Sequence, residues 1–291
     1  MKFGLAFANT MGWAEPQGAV EAARLAEEAG FESMWTVEHV IFPDDYQSAY
    51  PYSPTGKMPA GAATPIPDPL VWLAYIAAAT TRIRLATGIL ILPERNPLVL
   101  AKEVATLDHL SGGRVELGIG VGWLKEEFDA LGIPWEARGA RTDEYIEVLR
   151  ELWSRDHASY SGRFSSFNNV SSNPKPAQGS VPIVIGGHSR AAAERAGRLG
   201  DGFFPGKGSV KELAETFDIV RQTAAAAERD PSRIEFTAGH PGVFGDDPIA
   251  AVQEMESIGV ARMILPAFMF FKPTPADALA SFAERVISKV G

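Results

Sequence analysis

The chain has 291 residues, 46% of them hydrophobic, with a net charge of −9 and a sequence pI near 5.2. That acidity argues against nucleic acid or an anionic membrane surface as the main partner. The absence of cysteine excludes disulfides, thiolate catalysis and cysteine-held metals together.

Strands and amphipathic helices alternate along the chain. The N-terminal run "MKFGLAFANTMGW" lacks a small-residue cleavage site, so residues 2–8 read as a first strand rather than a secretion signal. No run approaches the roughly 18 uninterrupted apolar residues of a membrane span, and a soluble, cytoplasmic protein is expected. Residues 16–29 carry apolar side chains at helical spacing and stop at Gly30. A second strand over 31–37 leads into a long loop, 42–67. Asp68 and Pro69 then open a helix over 68–81, as an N-cap followed by a first-turn proline do. The nearly all-apolar run 83–92 has the composition of a parallel strand covered on both faces. A helix over 96–111 opens at Asn96–Pro97 and closes at Gly112–Gly113. A fourth strand, "RVELGIG", precedes two helices. Residues 155–180 are rich in Ser, Asn and Gly and break the rhythm, as a small hairpin or an extended excursion would. Strands over 181–187, 201–205, 233–239 and 261–268, with helices between and after them, complete the chain. Eight βα units without a linker predict one α/β domain over 1–291, a (β/α)8 TIM barrel, with an open doubly wound sheet as the alternative.

In such a barrel the active site lies at the C-terminal ends of the strands. The residues to watch are therefore Asn9, Glu38, His39, Thr87, Gly88, Gly120 to Trp123, Gly186 to Ser189, Phe204 to Lys207 and His240. In "VIGGHSRAAAERAGRLG", two glycines let the backbone approach a ligand and Ser189 caps a helix. Exposed amides at a helix start make an anion site, and Lys207 in "GKG" adds a basic loop beside it. The glycines of "ELGIGVGW" leave a strand end bare for something flat, but the spacing is not the G-x-G-x-x-G of a dinucleotide fold. His109, at a helix end, reads as structural, and His157 as exposed. No histidine pair has metal-ligand spacing, so no metal is expected. Lys2 begins its strand at the wrong end and Lys207 sits in a glycine loop, so neither suits a Schiff-base aldolase. The 42–67 loop, with Tyr46, Tyr50 and Tyr52, is too long for a mere connection and reads as a lid or a dimer-contact arm. Phe268, Met269, Phe270 and Phe271 read as a substrate wall or as a seal on the last helix. Arg138 and Arg141 are expected to anchor their helix through nearby acids.

Taken together, "AEEAGFESMWTVEHV", "IRLATGILILPERNPLVLAKEVATLDHLSGGRVELGIGVGW" and "PIVIGGHSRAAAERAGRLGDGFFP" resemble the luciferase-like monooxygenase family. "GVGWLKEEFDALGIPWEARGARTDEYIEVLRELW" is similar to the branch that uses the deazaflavin coenzyme F420. The resemblance spans nearly the whole chain. It implies a (β/α)8 barrel, usually homodimeric, binding a flavin-type ring at its mouth. Thr87, Gly88 and Ile89, where the family has a strand irregularity or a non-proline cis peptide, would lie near the ring. Gly120, Val121 and Gly122 would flank it, and Gly186, Gly187, His188 and Ser189, with Phe204 and Lys207, would hold the phosphate end. His39 aligns with a histidine near the reactive face, with Glu38 as its tuning partner. Tyr50, Tyr52, His240 and Phe268 are the substrate-side candidates. The activity implied is hydride transfer between reduced F420 and a small organic substrate. The alternatives are an FMN-dependent monooxygenase using reduced flavin and O2, a cofactor-binding protein without turnover, and a phosphate-binding barrel isomerase or lyase.

Overall fold

The computed structural model describes residues 1–290. In chain order the elements are β1 (Lys2–Ala6), α1 (Pro16–Glu28), β2 (Ser33–Thr36), α2 (Pro69–Ala77), β3 (Arg84–Thr87), β4 (Leu90–Ile91), α3 (Pro97–Ser111) and β5 (Val115–Gly120). Next come α4 (Lys125–Ala130), α5 (Arg138–Ser154), β6 (Ala158–Ser161), β7 (Ser166–Val170), β8 (Ile183–Gly186), α6 (Arg190–Leu199), β9 (Gly202–Phe204) and α7 (Val210–Ala226). The chain closes with β10 (Glu235–Ala238), α8 (Pro248–Ser257), β11 (Val260–Pro266), α9 (Pro275–Phe282) and α10 (Ser288–Val290).

Parallel pairing runs β3-β2-β1-β11-β10-β9-β8-β5, and β3 pairs with β5 to close the ring. The result is an eight-stranded TIM barrel, as the alternation of elements requires; the open sheet is excluded. The strand expected over 83–92 divides into β3 and β4, with the Gly88–Ile89 peptide bond cis between them. β4 pairs only with β5, so the third strand bends outward at its C-terminal end. The 155–180 excursion contains the antiparallel hairpin β6–β7.

Helix starts follow the local chemistry. Asp68 and Asn96 each accept two amide hydrogen bonds from the first turn they cap, and Ser189 accepts one from Ala192. Gly112 ends α3 in the left-handed region. The main core fills the layer between strands and helices, with side chains such as Leu73, Leu85, Leu117, Phe203 and Val220 fully buried. Inside the barrel, Trp35 lies among Ala6, Ala86, Val184 and Ile264. Its ring meets Phe204 edge-on at 5.8 Å on one side and the Arg262 guanidinium at 5.2 Å on another. Below it, toward the strand starts, Arg262 is 1% exposed and contacts Glu32 at 2.8 and 2.9 Å, Glu116 at 2.9 Å and Glu235 at 2.8 Å. This network plugs the N-terminal end and leaves the other end for chemistry.

Candidate active site at the barrel mouth

β2 delivers His39 to the mouth, and α4, which follows the end of β5, delivers Glu127. The Glu127 carboxylate is fully buried; its Oε2 lies 2.8 Å from His39 Nδ1. Its Oε1 accepts the amides of Val40 at 2.6 Å and Ile41 at 3.2 Å. A carboxylate so placed accepts a hydrogen bond from Nδ1–H, the tautomer in which Nε2 carries the lone pair. Phe42 and Trp123 meet the imidazole edge-on, at 5.2 and 5.7 Å, and fix its plane.

Glu38 points elsewhere. One of its oxygens accepts the Ile91 amide at 2.5 Å and the other binds Arg95, which also holds Asp68 at 2.7 Å. Glu38 therefore ties β2 to the turn after β4, and the carboxylate on His39 is Glu127. The sequence reading missed that partner because 88 residues separate the two. The local signal was a pair of acids, "KEEF", directly after a glycine-rich strand end.

The glycines of β5 and β8 have a purpose other than the one expected. A Cβ on Gly118 would lie 1.8 Å from the Thr87 carbonyl oxygen. Cβ atoms on Gly120 and Gly186 would each lie 2.5 Å from the Ile89 side chain. The bend at Thr87–Gly88–Ile89 thus fills the space these glycines leave, and no flat ligand rests on their bare backbone. Thr87 turns inward, its hydroxyl donating to the Gly118 carbonyl at 2.6 Å.

On the far side, Gly186, Gly187, His188 and Ser189 form the start of α6. Gly187 has φ 112, and its amide donates to the Phe204 carbonyl at 3.1 Å. His188 Nδ1 is buried without a hydrogen-bond partner. Burial, and then the Lys207 charge, hold this imidazole below its ordinary pKa and so neutral. An unpartnered neutral imidazole, a capped helix start and a lysine loop suit the phosphate end of a nucleotide-type cofactor.

The 42–67 loop folds across this opening. Trp123 packs on Tyr46 at 5.5 Å and on Tyr50 at 5.0 Å, Tyr50 on Tyr52 at 5.5 Å, and Tyr52 on His188 at 5.2 Å. Lys207 donates to the Pro51 carbonyl, so the basic loop is latched to the lid. Glu126 anchors the lid from below through the Gln47 amide at 2.6 Å and the Ser48 hydroxyl at 2.6 Å.

The other candidates separate. His240 accepts the Gly242 amide at 3.1 Å and lies 3.6 Å from Glu254, which makes it a turn cap. Phe270 is buried against Phe31 and Phe282, and Phe271 packs on Trp13, so both seal the barrel. Phe268 stays half-exposed, against Phe7 at 5.9 Å, and remains beside the opening. Arg141 donates to the carbonyls of Pro134 and Glu136, and Arg138 to that of Gly122 while lying over Trp135. Their partners are backbone carbonyls, not the acids expected.

The profile of the luciferase-like monooxygenase family matches residues 1–285. An uncharacterized protein of Mycobacterium tuberculosis (strain ATCC 25618 / H37Rv) is 37% identical over 277 residues, 92% of each chain. The FMNH(2)-dependent dimethylsulfone monooxygenase of Pseudomonas fluorescens (strain Pf0-1) is 34% identical over 207 residues, 70% of this chain and 52% of the other. Among solved structures, an F420-dependent secondary alcohol dehydrogenase in complex with an F420-acetone adduct superposes with a TM-score of 0.79. It is 19% identical and covers 99% of this chain and 98% of its own, a likeness of fold. The chain belongs to the luciferase-like monooxygenase family.

Proposed function

We propose that this protein is an oxidoreductase that binds reduced coenzyme F420 at the barrel mouth and exchanges a hydride with a small organic substrate. The observation that carries the reading is the His39–Glu127 pair beside the Gly88–Ile89 bend. The F420-dependent branch likeness of residues 120–153 and the name of the structural neighbour support the choice of cofactor. A bound deazaflavin supplies the hydride at its C5 carbon and reacts poorly with oxygen. The protein's task is then to hold substrate and move one proton. His39 Nε2 is the atom for that proton: it would take the proton when substrate is oxidised and, as an imidazolium held by Glu127, would give it when substrate is reduced. Glu38 acts as a positioning residue through Arg95 and the turn after β4. The α6 start, with His188, Ser189 and Lys207, takes the phosphate end, while Phe204 and Ile89 back the ring. Tyr50 and Tyr52 move with the lid when the cofactor enters, since Tyr52 lies over His188 and beside Gly206.

A second reading, reduced FMN with O2 as oxidant, is favoured by the relative named a dimethylsulfone monooxygenase. Fluorescence titration with F420 and with FMN separates the two. Submicromolar F420 binding with weaker FMN binding is the expected result; the reverse order selects the monooxygenase, and no binding to either removes both readings. The assembly we propose is a homodimer through the outer faces of α2 and α3. There Val71, Tyr75, Val99 and Leu110 are all more than half exposed, at 69%, 51%, 54% and 77%. Sedimentation of the wild type as a dimer and of Val71→Arg/Leu110→Glu as a monomer is the expected outcome.

A further inference from the structure

Glu94 ends a short turn, Leu92–Glu94, at the C-terminal end of β4 and so at the mouth. It is 8% exposed, and both of its carboxyl oxygens are buried without a hydrogen-bond partner. An orphaned buried carboxyl is costly unless something meets it. The groups around it are named easily. Glu127, which holds His39, and Glu38 both act on it as negative charges, and Arg95 opposes them. Arg95 is already occupied by Glu38 and Asp68.

We propose that Glu94 is a substrate-binding residue, a buried carboxylic acid that donates its O–H to the acceptor oxygen of an uncharged carbonyl compound. This rests on reading the mouth as the reaction site and adds to it the substrate class. A third ionised carboxylate in this cluster would lack a counterion, so the group keeps its proton. Burial first, and then Glu127 and Glu38, push its pKa up to about 9. A protonated carboxyl has one donor to offer, and the natural partner of a lone donor beside other acids is a neutral acceptor. The acidic side chains of Glu38 and Glu127 around it disfavour carboxylate and phosphate groups at this position. The same O–H would stabilise negative charge growing on that oxygen as hydride reaches the carbonyl carbon.

Infrared difference spectroscopy on the cofactor-free protein tests the first half. At pH 7 the wild type should show a protonated-carboxyl C=O band that Glu94→Gln lacks; absence of a Glu94-dependent band overturns the proposal. Cyclohexanone is the probe for the second half. Its carbonyl band should shift to lower frequency in the wild type and in Glu94→Gln, whose amide still donates, and not in Glu94→Ala. Affinity for cyclohexanone should fall about tenfold in Glu94→Ala, the loss expected for one unmade hydrogen bond. An unshifted band in the wild type, or an equal shift in Glu94→Ala, overturns the assignment. Matched thermal melts of the three proteins show that each is folded. These measurements need neither F420 nor FMN, so they stand or fall separately from the cofactor titration.

Discussion

His39 and Glu94 illustrate how little of a residue's task is written in its own neighbourhood. The segment "WTVEHV" offered Glu38 as the partner of His39, because adjacent polar residues at a strand end look paired. Both residues lie just past the end of β2, however, and the two part at the mouth: His39 toward α4, Glu38 toward Arg95. We expect His39→Ala to lower the single-turnover rate about 10²- to 10⁴-fold, the range for losing a positioned acid–base group, with cofactor affinity nearly unchanged. Glu127→Gln should show a smaller loss in the same rapid-reaction experiment, since it retains the ring but not the preference for one tautomer. Equal rates in Glu127→Gln and wild type would remove the pairing from the account. Glu94 makes a prediction about stability. Its carboxyl, ordinarily near 4.5, is raised to about 9 in the fold. The folded chain therefore keeps a proton that the unfolded chain has already lost. Stability from this group is complete below pH 4.5 and declines as pH rises toward 9. Urea melts across this window should show Glu94→Gln gaining on the wild type, by at most about 1.4 kcal/mol per pH unit.

At the scale of elements, caps and apolar runs were legible from the residues, while the bend in the third strand was expected only from the family likeness, which the cis Gly88–Ile89 bond bears out. Asp68, Asn96 and Ser189 cap the helices expected from them, because a cap is a contact between residues two or three apart. The run 83–92 gave no local reason to break. Its division into β3 and β4 becomes intelligible only when β5 and β8 lie alongside, with glycines where Thr87 and Ile89 press in. The glycine spacing of "ELGIGVG" thus belonged to packing against another strand. Gly118→Ala is the sharp test, since its new methyl would meet a backbone oxygen rather than a movable side chain. A loss of about 1–3 kcal/mol in denaturant melts is expected, the usual cost of an overpacked core. Gly120→Ala should cost less, because Ile89 can change rotamer.

The whole molecule is a barrel plugged at one end by charge and roofed at the other by aromatic rings. Arg262 joins Glu32, Glu116 and Glu235, residues from four parts of the chain; Arg262 and Glu116 are buried, while Glu32 and Glu235 reach the barrel's lower rim. Removing Arg262 leaves the three carboxylates with only Arg84 and Lys2 as cations, and Arg262→Ala should destabilise by up to about 3–5 kcal/mol, the loss on breaking a buried ion pair. Chemical denaturation of that variant checks the figure; a loss under 1 kcal/mol would show the network to be well hydrated. The roof, Trp123 with the tyrosines of residues 42–67, closes over a site that the eight strand ends define.

The sequence by itself determined the elements, their caps, the closed barrel they imply and the end at which the site lies. Those follow from periodicity and from contacts a few residues long, and the likeness to a known family added the position of His39. Only the tertiary structure decided that Glu127 rather than Glu38 holds that histidine, that the bare glycines receive a bent strand, and that Glu94 stands without a partner. Each of these depends on groups far apart in the chain meeting in space, and whether a carboxylate is paired, orphaned or charged is decided by what folding brings to it.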